Sequence, residues 1–375
     1  MECGDGKVVT RHVVDTEFTA DSAEWCPLDE NADLLLCGMY QLTDPDSSTT
    51  PSTENVPTDV PKKRIGRIYL FRVLDDNNGQ FSCEEMERLE TAGVLDIKWN
   101  SLRLNQCPAF VVADSDGNVN LYSVSVDRSG LEKCVSQLSS ACVCVEGKKA
   151  LVLSLDWSTA VNKSSPAQII SSDSEGRLNL LDCNVDGLTL VSQWKAHDFE
   201  GWIAAFNAWD TNIVYSGGDD CKLKGWDVRC KDKPIFVSNR HMMGVVSIQS
   251  NPVKEFILAT GSYDEHVLLW DTRQMKSPLS NTALGGGVFR IKWHPRHGQK
   301  VLTATMHNGF HVLDAREIPS GASSLPLMAH YCQEEHGSLA YGADWSRSIS
   351  MDSAYDRIAT CSFYDHSLHI WDIHP

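Results

Sequence analysis

IVYSGGDDCKLKGWDVR (213–229) and ILATGSYDEHVLLWDTR (257–273) are two versions of one pattern, offset by 44 residues. His197, Asp220 and Trp226 recur as His241, Asp264 and Trp270, with internal spacings of 23 and 6 in both copies. Within each copy, four or five β-branched or bulky residues run together between turn residues, as in Ile257-Leu258-Ala259-Thr260 and Val267-Leu268-Leu269-Trp270. Such runs predict strands buried on both faces. Gly, Asp, Ser and Asn at 217–220, 261–264 and 115–118 supply the tight turns between them. A period of 40 to 45 residues with strand-like runs and a terminal Trp-Asp is that of a β-propeller blade.

Working outward, the unit returns downstream as GGVFRIKWHP (286–295) with KVLTATMHNGFHVLD (300–314), then as YGADWS (341–346) with DRIATCSFYDHSLHIWD (356–372). Upstream it returns as LVLSLDWS (151–158) with QIISSDSEGRLNLLD (168–182), and as GVLDIKW (93–99) with AFVVADSDGNVNLY (109–122). The first copy is DSAEWCPL (21–28), DLLLCGMY (33–40) and GRIYLFRV (66–73). Seven blades result, so the expected fold class is all-β: a single seven-bladed β-propeller domain spanning 1–375. RHVVDTEFT (11–19) alternates like a strand but belongs to no complete blade. It is expected to supply the outer strand of the last blade, closing the ring and leaving no open sheet edge. Three insertions interrupt the repeat. The Ser/Thr/Pro-rich stretch 43–63 is expected to be a disordered loop, on the rim that carries the His-bearing loops, and 125–150 and 315–338 to be looser inserts.

The chain carries 33 Lys and Arg against 50 Asp and Glu, a formal charge of −17. That excludes nucleic acid as the main partner, because phosphate binding needs clustered cations, and it suits a basic or cationic partner. No apolar run is long enough to span a bilayer, so no membrane association is expected. The 13 cysteines are scattered, without a CxxC pair, as in a chain kept in a reducing cytosol. No metal site and no cofactor are expected, and there is no G-x-S-x-G elbow, H-E-x-x-H or phosphate-cradling glycine loop.

His197, Ser216, Asp220 and Trp226, and likewise His241, Thr260, Asp264 and Trp270, are read as hydrogen-bonded structural chains, since buried polar groups need partners. Subtracting them leaves an acidic, aromatic, histidine-bearing rim. Trp202, Asp219, Tyr263 and Tyr364 are the candidate substrate-binding residues. His266 and His366 are the candidate bases, Glu265 an orienter and Arg290 a stabiliser of developing negative charge. Gly244 and Gly285-Gly286-Gly287 are expected to leave room at the channel mouth. Arg290 is unusual on an inner strand and faces a possible pairing with Asp96 across the channel.

SLDWST (154–159), IISSDSEGRL (169–178), WIAAFNAW (202–209), GVVSIQSNP (244–252), ILATGSYDEH (257–266) and ATCSFYDHSLHIWD (359–372) resemble the diphthine methyl ester hydrolases, WD-repeat proteins of the diphthamide pathway. The resemblance runs from DTEFTADSAEWCPL (15–28) to the end, outside 43–63 and 125–150. It implies a cytoplasmic carboxylesterase that cleaves the methyl ester of methylated diphthine on elongation factor 2, giving diphthine and methanol. The trimethylammonio group of that substrate cannot donate hydrogen bonds, so a site for it needs aromatic faces and nearby carboxylates. The family resemblance supplies no catalytic residue; the assignments above rest on position. The rival reading is a non-catalytic scaffold: WDVR (226–229) and WDTR (270–273) resemble the boxes by which propellers dock on a ubiquitin-ligase adaptor, through Arg229 and Arg273.

Overall fold

A computed structural model describes residues 7–43, 63–75, 80–125, 134–145, 147, 149–161, 166–318, 323–332, 336–348 and 355–374. Among the described residues, twenty-eight strands form seven four-stranded antiparallel sheets, each ordered from an inner strand outward. The inner strands are Thr19–Trp25, Val94–Trp99, Val152–Trp157, Gly201–Phe206, Val245–Ser250, Arg290–Trp293 and Ala340–Trp345. Seven hydrophobic clusters hold the ring together, each built from neighbouring blades; Leu36, Ile68 and Val94, Ile97 of blades one and two share one, for example. Both faces of the middle strands are therefore buried, which is why Ala109–Asp114 and Ile257–Ser262 read as nearly unbroken apolar runs.

Blade seven is completed from the other end of the chain. Lys7–Asp15 pairs antiparallel with Ser367–His374, from Lys7 opposite His374 to Asp15 opposite Ser367, with a bulge at Arg11. The closing strand thus starts earlier than 11 and stops at Asp15. The chain turns there because Glu17 adopts φ 63° and Thr16 donates its N–H to the carbonyl of His366, and Thr19 then begins blade one.

Two of the supposed inserts prove to contain regular structure. Val135–Cys142 is the outer strand of blade two, and Leu327–Tyr331 that of blade six. Val135–Cys142 is polar and largely exposed, so it carries no apolar run that sequence periodicity could register, and Leu327–Tyr331 is only five residues long. Residues 44–62, the bulk of the 43–63 stretch, lie outside the described residues; its flanks Thr43 and Lys63 pair with each other. No helix among the described residues is long and apolar enough to cross a membrane.

Candidate functional site

Three blades are pinned at the rim by hydrogen-bonded chains. His197 Nδ1 meets Asp220 at 2.8 Å and its Nε2 meets Ser216 Oγ at 2.8 Å, while Trp226 Nε1 donates to the same hydroxyl at 2.9 Å. His241, Thr260, Asp264 and Trp270 repeat this with 3.0, 2.8 and 2.9 Å. In the last blade His336 and Trp371 converge on Thr360, and the extra turn residue lets Ser362 stand between His336 and Asp365. Both ring nitrogens of each histidine are occupied and the rings are buried, so these groups carry no free acceptor toward the channel.

The channel mouth is made by one recurring device. On six of the seven inner strands the register slips by one residue near the start, a β-bulge that skips Asp21, Leu95, Leu153, Trp202, Val246 and Tyr341. On the remaining blade, Phe289 occupies the corresponding place just before Arg290 and donates its N–H to the Ala304 carbonyl. A bulge re-aims the extra side chain and bends the strand at a sheet rim. All seven side chains line a single cavity of about 130 Å³, joined by Tyr40 from the second strand of blade one and Tyr263 from a neighbouring turn.

The ring is mostly flat π surface. Trp202 meets Tyr263 edge-on at 5.9 Å, and Phe289 stacks on Tyr341 at 4.1 Å. Phe363 then links Tyr341 and Tyr40, at 5.0 Å from each. Trp202 Nε1 donates to Asp219 Oδ1 at 3.2 Å, which fixes the indole plane. The glycines expected to leave an opening instead admit Tyr263. A Cβ on Gly244 would lie 2.8 Å from Asp219 Oδ1 and 3.2 Å from the Tyr263 ring, and one on Gly287 3.2 Å from that ring.

Asp21 is the exception in this ring, a carboxylate among apolar and aromatic neighbours. It is 4% exposed, and its Oδ2 has no hydrogen-bond partner among the described residues. Burial pushes its carboxyl up to about 7; Arg290 pulls the other way, Asp96 adds to the rise and Lys98 opposes it.

Beneath the mouth lies a charged waist. Arg290 Nη1 reaches Asp96 at 3.3 Å across the channel, and Lys98 Nζ holds the same carboxylate at 2.7 Å. Burial works against the charge on Asp96, but Lys98 and Arg290 together keep its carboxyl below the usual range. Deeper, Glu24 binds both Lys98 at 2.8 Å and Lys292 at 2.5 Å. Arg290 lines the cavities on both sides of the waist.

The structure brings Trp202, Asp219, Tyr263 and Arg290 together at the mouth. Tyr364 stands outside the cavity, 69% exposed on the rim and edge-on to Phe363 at 4.9 Å. The two candidate bases are not at the cavity. His266 Nδ1 is engaged with Asn281 on the outer strand of its own blade at 2.5 Å. His366 and Glu265 occupy left-handed turn positions, φ 54° and 71°, at blade turns outside the cavity lining. Their turns stand where a blade's second strand meets its third, apart from the inner-strand residues that line the mouth. Asp21, Tyr40, Phe289 and Tyr341 escaped the sequence reading. Aligning the seven inner strands would have exposed Asp21, Phe289 and Tyr341, which stand one place before Ser22, Arg290 and Gly342; Tyr40 lies on a second strand and gives no such signal.

At the opposite edge, Arg229 and Arg273 are 66% and 64% exposed, yet each grips the aspartate two residues before it at 2.6 Å. Arg316 repeats the arrangement with Asp314, where no Trp precedes the aspartate. The guanidinium groups thus cap their own strands.

The WD domain, G-beta repeat family matches residues 232–271. A Homo sapiens protein named diphthine methyltransferase is 38% identical over 96% of this chain and 97% of its own length. A Mus musculus protein of the same name is 43% identical over 91% of this chain and 70% of its own length. A Dictyostelium discoideum diphthine methyltransferase homolog is 35% identical over 95% of this chain and 96% of its own. Among solved structures, a chain of the mitotic checkpoint complex superposes with a TM-score of 0.67 over 99% of this chain and 93% of that one, at 16% identity, a likeness of fold.

Proposed function

The chain belongs to the diphthine methyltransferase family, and from that premise we propose that it hydrolyses the methyl ester of methylated diphthine on elongation factor 2, releasing methanol. The observation that carries the reading is the mouth ring: Trp202, Tyr263, Phe289, Tyr341 and Tyr40 around the Asp21 carboxylate. A trimethylammonio group presents a diffuse positive surface without N–H donors. Aromatic faces and a nearby anion are what attract it, and a desolvated setting strengthens that attraction.

The relatives' name describes a methyl-transfer step on diphthine. A donor carrying a nucleoside would need a pocket of the roughly 300–1,000 Å³ that encloses a drug-sized ligand. The mouth offers about 130 Å³, room for a side-chain head group projecting from a protein surface. Water is small enough to enter beside it. Hydrolysis of an ester already in place suits that size better than methyl donation does.

The test is direct. Purified protein is incubated with elongation factor 2 carrying the methyl ester, and intact mass is read alongside released methanol. Loss of one methylene equivalent per factor, stoichiometric with methanol, is expected; an unchanged mass removes the esterase reading. Gain of mass in the presence of a methyl donor would establish the opposite direction.

A further inference from the structure

We propose that the Asp21 carboxylate is the general base of this site, taking a proton from the water that attacks the ester carbonyl, with Arg290 steadying the oxyanion. The inference rests on the esterase reading above and names the group that performs it.

Three observations carry it. Asp21 is positioned by a bulge whose counterparts on the other blades are apolar or aromatic, so a carboxylate there fills no packing role that the repeat requires. Its Oδ2 is buried and unpartnered among the described residues, and Asp21 is one of the residues that line the cavity. A buried acceptor without a donor destabilises a fold, and such groups call for a functional account. Finally, Arg290 sits in the same wall, anchored through one Nη to Asp96, so that its position does not depend on substrate.

The other groups that face Asp21 cannot do this work. From the sixth blade comes Arg290, a permanent cation. From the second come Asp96 and Lys98, locked to each other and, through Asp96, to Arg290. Tyr40, Tyr263 and Tyr341 are phenols whose burial, with Asp21 nearby, pushes them above their ordinary range. Cys361, behind Asp21, is likewise raised by burial. Asp21 alone is held near neutrality, where a base is half free and its conjugate acid is still a donor.

The step balances without a co-reactant. The water oxygen bonds to the carbonyl carbon as Asp21 takes one water proton, and the carbonyl π pair moves onto its oxygen beside Arg290. On collapse the bond to the methoxy oxygen breaks, that oxygen takes the proton from Asp21, and methanol leaves. The new carboxylic acid gives its remaining proton to solvent.

The wild-type protein is assayed for methanol release from about pH 5.5 to 8.5, and Asp21→Asn is assayed at pH 8 with binding of the methylated factor measured separately. Expected are a rise of kcat/KM with a midpoint near 7 in the wild type, a loss of about 10²–10⁴-fold in kcat for Asp21→Asn, and a weakening of binding much smaller than that fall in kcat. A flat wild-type profile overturns the proposal without any variant. So does Asp21→Asn turning over at the wild-type rate, or losing affinity at unchanged kcat, which would make Asp21 a counter-ion only. Absence of methanol from the wild type itself sinks the esterase reading, a different failure from an active Asp21→Asn.

Discussion

At the residue scale, Asp21 trades stability for reactivity. Its carboxyl is easier to protonate in the folded chain than in the unfolded one, because burial raises it from 3.8 to about 7. The folded state therefore binds more protons between these values, and stability falls as pH rises through that window. Below about 4 both states are protonated and the penalty vanishes; above 7 it is fully present. The gap corresponds to on the order of 4 kcal/mol, an upper figure since Arg290 and solvent relaxation soften it. Asn cannot ionise, so Asp21→Asn should raise the melting temperature at pH 8 and leave it nearly unchanged at pH 3. Thermal unfolding of both proteins at the two pH values checks this; equal shifts at both would show that the carboxylate is not strained in the fold. The hydrogen-bonded chains, by contrast, contribute stability, and they were legible because their spacing repeats at three points. Asp21 was not legible, since a bulge changes which face a residue meets without changing the alternation that surrounds it.

At the element scale, the weak point of any closed ring is the seam, and here it is reinforced by charge as well as by strand pairing. Arg357, on the second strand of blade seven, is 1% exposed and binds Asp372 at 2.8 Å and Asp75 of blade one at 2.7 Å. Arg11 of the closing strand adds a contact to Asp372 at 3.3 Å. One buried aspartate thus serves the last blade and its closing strand, while Arg357 reaches across to the first. Removing one partner of a buried pair leaves the other charge desolvated and costs about 3–5 kcal/mol. Asp372→Ala should fall at the low end of that range because Asp75 remains, read as a lower urea midpoint at unchanged slope. An unaffected midpoint would mean that strand pairing alone holds the seam. Of these elements, the inner and middle strands were readable from their apolar runs. Of the outer ones, the closing strand was readable from its alternation, but Val135–Cys142 and Phe236–Ser238 are short or polar and are strands because a sheet edge pairs with them.

At the scale of the whole molecule, 33 basic against 50 acidic side chains surround a mouth whose wall combines π faces with one buried carboxylate. The count of blades and the sign of the field were both open to sequence reading, but the depth of the mouth was not, because it depends on how six bulges and Phe289 converge. These two levels of attraction respond differently to salt. The long-range field of the net charge steers a cationic protein partner and is screened within about 10 Å at 0.1 M and about 3 Å at 1 M. Contacts inside the desolvated cage are screened far less. For the ester-bearing elongation factor, kcat/KM should therefore drop steeply as sodium chloride rises from 0.1 to 1 M, while kcat at saturation changes little. A small methyl ester bearing a trimethylammonio group, which feels mainly the cage, should show a shallower drop over the same range. The comparison isolates the field from the pocket: identical salt slopes for both substrates would place all recognition within the mouth, and a kcat/KM for the factor that is indifferent to salt would remove electrostatic steering from the account of how this propeller finds its partner.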